Sequence, residues 1–342
     1  MASVADLLRP LSMVFPASRN GSERARWFVS TMLAIIMPFS TARTSNLLRA
    51  LHWVFGESVS LRRYYTFMAP PKLRWAELWS TVWMMIPSPY VDERLLVAID
   101  DSINPKTGRK IFGCEWFFDH AAKANQTRYA WAQLIVTIGL LKPIKGGWAC
   151  LPLAFRFYHS KKAIAAAKMT VGRTPVTFQT KIEQAREMLI AVARAFDQGT
   201  ILAVTEWIYR KTSWVALFTT DLNLTVEQVI EYYAARWKIE AAFKELKQEI
   251  GSARSQTRNP VAVTNHLHFC MMAATLTWIH TDQTAQTPAR LHNATTRRFY
   301  AFFDARRQFT DAVKPSDLRT LCPDERIRHK NSFLSILVKM AA

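Results

Sequence analysis

The first region of the chain, residues 1–90, carries the hydrophobic pattern of helices, because apolar residues recur there every three or four positions. The pattern predicts helices at Trp27–Phe39 and Thr44–Phe55, and a third that begins at Ser58 or Ser60 as its cap. The last two are short helices on either side of a glycine, and the second is basic and aromatic. They fit either a helix-turn-helix or an ordinary helical bundle.

The pattern changes after residue 90 to that of an α/β core. Leu95–Ile99 is a continuous apolar run that ends at Asp100 and Asp101, which is typical of a central strand covered on both faces. Further strands are predicted at Ile111–Phe118, Trp131–Leu141, Thr200–Thr205 and Trp214–Thr219. A helical pattern from Ile182 to Phe196 separates them. Strands followed by alternation with helices indicate a mixed sheet flanked by helices.

The clearest helix of the sequence begins after Thr225, which forms a capping box with Gln228, and can run to Ile250 before Gly251. On a helical wheel, one stripe of this helix is apolar and is expected to face the core. Its members are Ala235, Ile239, Ala242, Phe243, Leu246 and Ile250.

A second, narrow stripe beside it carries Tyr233, Arg236, Glu240 and Lys247. Arg236 and Glu240 are four residues apart, so they could be an ordinary helix salt bridge at the edge of the core. The remaining charged residues, Lys238, Glu245 and Glu249, are expected to point into solvent.

A catalytic role for Glu240 requires a second carboxylate facing it. Asp100 and Asp101 end a central strand, but only one of them can face the site, because successive strand residues point to opposite faces. Carboxylates on rigid elements can hold hard divalent cations, and two such ions about 4 Å apart can activate a hydroxyl for phosphodiester chemistry.

The charge of the chain points to a polyanionic partner. Lys+Arg less Asp+Glu is 45 − 26 = +19, which favours nucleic acid, with an anionic membrane surface as the rival. The apolar segments Trp27–Ala42 and Asn259–Thr281 are expected to be buried helices and not membrane spans, since the first is short and polar residues interrupt the second. The four cysteines form no CxxC pair and no signal peptide is expected, which together predict a cytoplasmic protein.

The spacing Tyr233-x2-Arg236-x3-Glu240-x6-Lys247 resembles the YREK motif of bacterial insertion-sequence transposases of the DDE type. The block Ile99–Gly108 is similar to the first catalytic aspartate block of that family, and the surroundings of the helix, Leu217–Asp221 and Arg236–Glu240, are similar as well. The resemblance extends over residues 20–280.

This resemblance implies a ribonuclease H-like core that binds two Mg²⁺ ions, with Mn²⁺ as a substitute. It also implies an enzyme that nicks DNA at the ends of an element and joins the 3′-hydroxyl to target DNA. By the motif, Asp101 and Glu240 are the expected catalytic residues and metal ligands, and Asp100 is the less favoured alternative to Asp101. Tyr233, Arg236 and Lys247 would bind the DNA of the element end.

One part of the family pattern is missing. The second aspartate and a long, mostly β insertion should follow the strand Thr200–Thr205, but Trp214 already begins the next strand. An internal deletion near Thr205 and Glu206 is the simplest explanation. Glu206 falls at the vacated position and is a candidate substitute ligand, or else a junction residue without a metal role.

The sequence therefore predicts three parts: a helical DNA-binding domain at 1–90, a DDE core at 91–281 and a basic tail at 282–342. We expect a DNA transposase that works as a homodimer in a synaptic complex and makes no membrane contact. The alternative is a non-catalytic DNA-binding remnant that binds element ends or inhibits an intact transposase.

Overall fold

A computed structural model describes residues 4–37, 42–53, 55, 60–119, 122, 125, 127–196, 200–204, 217, 219–291 and 299–313. These residues form a mixed α/β fold in which helices flank a mixed sheet, as the sequence predicts. The predicted strand at Trp214–Thr219 falls mostly outside the described residues.

Five helices precede the sheet. They are α1 (Val4–Met13), α2 (Arg19–Ile36), α3 (Thr44–Trp53), α4 (Leu61–Met68) and α5 (Trp75–Met84). Ser60 caps α4, because its side chain accepts a hydrogen bond from the amide of Arg63. Helices α2, α4 and α5 pack against a long later helix, α10 (Pro260–Gln283), whereas α1 packs against α2 and α5, and α3 against α2.

Within the described residues, the main sheet has five strands. They are β1 (Arg94–Pro105), β2 (Cys114–Phe118), β3 (Tyr129–Ile144), β4 (Gly147–Tyr158) and β7 (Thr200–Val204). The order is β2-β3-β1-β7, and β4 also pairs with β3. The pairs of β3 are antiparallel, whereas β1 and β7 are parallel.

Strand β4 is absent from the sequence-based prediction, and Pro152 in its middle explains why, since proline removes a ladder hydrogen bond. The ladder accommodates Pro152 through a register shift opposite Ile138 and Gly139. The Pro152 carbonyl instead accepts a hydrogen bond from Thr275 of α10 at 2.6 Å.

The segment between β4 and β7 holds a short helix α6 (Lys161–Ala167), a small hairpin of β5 (Thr170–Val171) and β6 (Thr174–Pro175), and helix α7 (Lys181–Ala195). Helix α7 packs against β3 and β4. It matches the predicted helical pattern of Ile182–Phe196 and begins with a capping box.

The predicted single helix at 225–250 is divided into three parts: α8 (Val226–Arg236), α9 (Lys238–Lys244) and a π-helix at Glu245–Ile250. Both predicted ends are confirmed. Thr225 and Gln228 form the capping box, and Gly251 ends the helix with a φ of 83°. The apolar stripe from Ala235 to Ile250 is buried as predicted.

Within the expected basic tail at 282–342, helix α11 (Phe302–Ala312) packs into the core. Arg306 is 2% exposed. Its guanidinium donates to the carbonyls of Ile35, Ile36 and Glu249 at 2.7–3.0 Å. A basic residue of this segment therefore satisfies the carbonyls at the end of α2 and does not face solvent.

Candidate active site

The two neighbouring aspartates of β1 lie on opposite faces of the sheet. Leu96 and Ala98 pack with the apolar residues of α8 and α9. Two positions further along, Ser102 Oγ accepts a hydrogen bond from Lys247 Nζ at 2.6 Å. Since every second residue of a strand shares a face, Asp100 lies on the same face as these residues.

Asp101 points to the other face, toward α7. Its carboxylate pairs with Lys181 Nζ at 2.9 Å, and the two side chains are 35% and 42% exposed. Asp100, the alternative to the favoured Asp101, is thus the aspartate on the face of Glu240, and the choice of metal ligand between the two stays a prediction. The apolar run before the pair is buried on both faces, so its pattern could not reveal which aspartate faces the helix.

Asp100 is surrounded by charges. Burial raises the pKa of its carboxyl, and the nearby carboxylates of Asp101 and Glu240 raise this pKa further. The backbone amide of Asp101, which donates to Asp100 Oδ1 at 2.8 Å, and the Arg236 guanidinium act in the opposite direction. Asp100 is thus an acidic group near Glu240 whose charge would be favoured by a cation.

Glu240 and Arg236 form an ion pair across one turn, with 3.6 Å between Arg236 Nη2 and Glu240 Oε1. The arginine side chain is 2% exposed and the glutamate side chain is 46% exposed. The guanidinium carbon lies 5.8 Å from the ring centre of Tyr233 and 4.8 Å from that of Trp237. Packing against two rings fixes the arginine beside an accessible carboxylate.

Lys247 lies in the π-helix, where the chain is wound wider than in an α-helix. Burial lowers the pKa of its ammonium group, and the charge of Asp119 opposes this effect. The hydrogen bond to Ser102 holds Lys247 against β1, on the same face as Asp100.

The three residues expected to point into solvent, Lys238, Glu245 and Glu249, are each half-buried. Glu245 begins the π-helix, and burial raises the pKa of its carboxyl to about 8. The indole N–H of Trp278 and the charge of Lys238 oppose this rise, and the charge of Glu249 adds to it. Sequence spacing missed this because the helix is not a continuous α-helix.

A polar network that the sequence analysis missed ties α8 to the start of β1. Tyr232 Oη donates to Asp92 Oδ2 at 2.5 Å, and Gln228 Nε2 donates to the same oxygen at 3.1 Å. Arg94 pairs with Asp221 at 2.7 Å just before the helix. These contacts fix the position of the helix that carries Glu240 relative to the strand that carries Asp100.

A second missed contact holds the far end of β1. Lys106 is buried, and its ammonium donates to the carbonyls of Ala253 and Ser255 at 2.7 and 3.1 Å. Burial lowers the pKa of Lys106 to about 8. Lys106, within the block Ile99–Gly108, therefore holds the end of β1 to the segment that follows the π-helix.

Among the residues that the structure describes, no group of three or more His, Cys, Asp and Glu side chains is arranged to hold a metal ion. Asp100 and Glu240 are the two candidate ligands on one face. Glu206 lies outside the described residues. Before it, Val204 of β7 pairs with Ala98, two residues ahead of Asp100.

Residues 124–276 match the family model of the transposase DDE domain. This segment of the chain is similar to transposase DDE domains. The match includes Tyr233, Arg236, Glu240 and Lys247 and begins after β1. DDE domains act on DNA and generally use divalent metal ions, so the family supports a transposase with DNA as its partner.

A search of curated proteins gives no match to the chain. In the described residues, no helix is long and apolar enough to cross a membrane.

Proposed function

We propose that this chain is a DNA transposase that nicks the ends of an insertion sequence and joins the freed 3′-hydroxyl to target DNA. One observation carries the proposal: within a DDE domain, Glu240 lies beside a buried arginine and near Asp100. Phosphodiester chemistry of this kind needs carboxylates that hold cations and basic groups that bind phosphate.

Asp100 and Glu240 fit a divalent cation, with Mg²⁺ as the expected ion and Mn²⁺ as its substitute. Both are hard oxygen donors, and the charge of Glu240 raises the pKa of Asp100, so a bound cation would favour the charged form of Asp100. When bound, the metal supplies Lewis-acid stabilisation of charge on the phosphodiester oxygens.

The basic and aromatic groups of the same helix are the expected DNA contacts. Arg236 is buried between two rings beside Glu240, so its fixed positive charge would act on a phosphate bound at Glu240. Lys247 offers a point charge next to Ser102, and Tyr233 a half-buried ring. Such contacts position the DNA backbone and do not read its sequence.

The test is a strand-cleavage assay on the terminal DNA of the element, with Mg²⁺ or Mn²⁺. We expect cleavage by the unmodified chain and a loss on the order of 10³-fold in Glu240→Gln, because one charged group at the reacting phosphate is removed. Glu227→Gln, an exposed glutamate at the start of α8, is the matched control and should cleave normally.

The same assay decides whether the site has a third carboxylate. Loss of cleavage in Glu206→Gln would assign that role to Glu206. Cleavage unaffected by Glu240→Gln would contradict the proposal.

A second candidate, a DNA-binding remnant without catalysis, is favoured by the presence of only two suitable carboxylates on this face in the described part of the chain. It predicts salt-sensitive binding to element ends with no cleavage by the unmodified chain.

Because strand transfer brings two ends together, we expect a homodimer in the active complex. Analytical ultracentrifugation with end DNA would measure the number of chains in that complex.

A further inference from the structure

The segment between β4 and α7 is rich in positive charge. Residues 160–181, here called the basic arm, contain five cations and no aspartate or glutamate. The cations are Lys161, Lys162, Lys168, Arg173 and Lys181. Only Lys181 pairs with an acid among the described residues, through Asp101.

The basic arm presents its first four cations to solvent. Lys161, Lys162, Lys168 and Arg173 are all exposed, and α6 fully buries none of its side chains. Among the described residues, these four form no ion pair within 4.0 Å. A cluster of this kind costs free energy through mutual repulsion, which an anionic partner would relieve.

The basic arm is fixed to the rest of the fold at its start. Ser160 donates its amide and hydroxyl to the carboxylate of Glu115 in β2, at 3.0 and 2.5 Å. The same hydroxyl caps α6 by accepting from the amide of Ala163 at 3.1 Å. The ammonium of Lys161 lies 4.8 Å from the ring centre of Phe178, which joins the two ends of the basic arm.

The tip of the basic arm is fixed as well. Its turn contains Gly172, with a φ of 64°, a left-handed conformation that glycine adopts readily. A Cβ atom at Gly172 would lie 3.8 Å from Pro71 and 3.9 Å from Val261, so the turn touches the N-terminal helical region and the start of α10. The exposed cations are therefore presented by a backbone that is already ordered.

We propose that the basic arm is a binding surface for the DNA phosphate backbone, additional to the contacts expected around Glu240. Ordered, exposed and unpaired cations suit a polyanion of regular charge spacing, since little conformational entropy is lost on binding. The choice of DNA over other polyanions rests on the proposed function.

The experiment measures the affinity for duplex DNA against salt concentration, in EDTA so that no cleavage occurs. Each phosphate contact adds about 0.9 to the slope of log K against log salt. We expect the variant Lys161→Gln, Lys162→Gln, Lys168→Gln, Arg173→Gln to reduce this slope by about 3 to 4.

Two double variants provide the matched comparison. Lys168→Gln with Arg173→Gln should reduce the slope by about 2. Arg186→Gln with Arg194→Gln removes the same charge from the exposed surface of α7 and should leave the slope close to that of the unmodified chain. Thermal unfolding followed by circular dichroism should be unchanged in both, because all four side chains are exposed.

An unchanged slope in the arm variants, or an equal change in both doubles, would overturn the inference. The outcome is independent of catalysis. Loss of binding through the basic arm in a chain that never cleaves DNA would keep this inference and reject the proposed activity. Cleavage with an unaltered slope would do the reverse.

Discussion

The two faces of strand β1 place adjacent aspartates in different surroundings. Asp100 lies on the face of Glu240 and Arg236, where burial and neighbouring carboxylates raise its pKa. Asp101, one residue later, is partly exposed and neutralised by Lys181 of α7. On the first face, the carboxylates of Asp100 and Glu240 lie near each other. On the second face, the carboxylate of Asp101 pairs with the ammonium of Lys181 at the surface.

This difference predicts that substitutions on the Asp100 face affect activity, whereas substitutions on the Asp101 face affect neither activity nor stability strongly. An exposed ion pair contributes little to folding, about 0–1 kcal/mol, so Asp101 and Lys181 can be altered at small cost. Arg236 opposes only part of the rise in the pKa of Asp100, and a carboxyl perturbed in this way is typical of functional sites.

The largest expected effect on cleavage comes from replacing each of the two aspartates with asparagine, one at a time. Asp100→Asn should reduce cleavage by about 100-fold or more, because a carboxylate facing Glu240 is lost. Asp101→Asn should change cleavage by less than about 3-fold, since an exposed ion pair contributes little. Single-turnover cleavage rates measure both, and the opposite order of effects would restore Asp101 as the candidate ligand.

A smaller effect is expected for the lysine on the Asp100 face. Lys247→Met should reduce the salt slope of DNA binding by about 1, because one phosphate contact is removed. Ser102→Ala removes the hydrogen-bond acceptor of Lys247 and leaves the charge of Lys247 in place. This variant should retain the salt slope and only loosen the position of the Lys247 side chain. A titration at several salt concentrations separates the two, and equal slopes in Lys247→Met and the unmodified chain would exclude the phosphate contact.

Glu245 tests how burial changes the pKa of a carboxyl in the segment 225–250 that also carries Glu240. Its folded pKa is about 8 against the ordinary 4.5, so the folded state keeps a proton that the unfolded state releases. The free energy of unfolding should fall as pH rises from about 4.5 to 8, by up to about 1.4 kcal/mol per pH unit.

Glu245→Gln should remove this contribution, whereas Glu227→Gln should keep it. Urea denaturation at pH 5, 6, 7 and 8 measures the difference. Parallel pH profiles for Glu245→Gln and the unmodified chain would mean that Glu245 titrates normally.

The smallest effect is predicted on the Asp101 face. Lys181→Met removes the partner of Asp101 and should lower the free energy of unfolding by no more than about 1 kcal/mol. Cleavage should be nearly unchanged. Chemical denaturation and the cleavage assay check the two halves, and a large loss of cleavage would show that the two faces are coupled.

Much of the fold could be predicted from hydrophobic pattern. The run Leu95–Ile99 became the central strand, and the capping box at Thr225 marked the start of α8, because both signals depend on local backbone requirements. Strand β4 could not be predicted, since it contains Pro152 and accommodates it by an irregularity in which Leu153 has no partner in β3.

The site was predicted in part. The spacing of Arg236, Glu240 and Lys247 located one side of it, because helical geometry converts spacing into a common direction. The motif favoured Asp101 over Asp100, but the pattern of the strand could not show which of the two faces Glu240, because that depends on which helix covers which face of the sheet. The contact of Lys247 with Ser102 depends on a π-helix, for which the sequence offers no simple periodic signal.

The contact between Arg306 and the end of α2 limits when that helix end can be capped during synthesis. Its guanidinium donates to the carbonyl of Ile36, 270 residues earlier. Helix α2 therefore cannot acquire this cap until residue 306 has left the ribosome. A nascent chain stalled before residue 306 would expose the end of α2 and be a better protease substrate there than the finished protein.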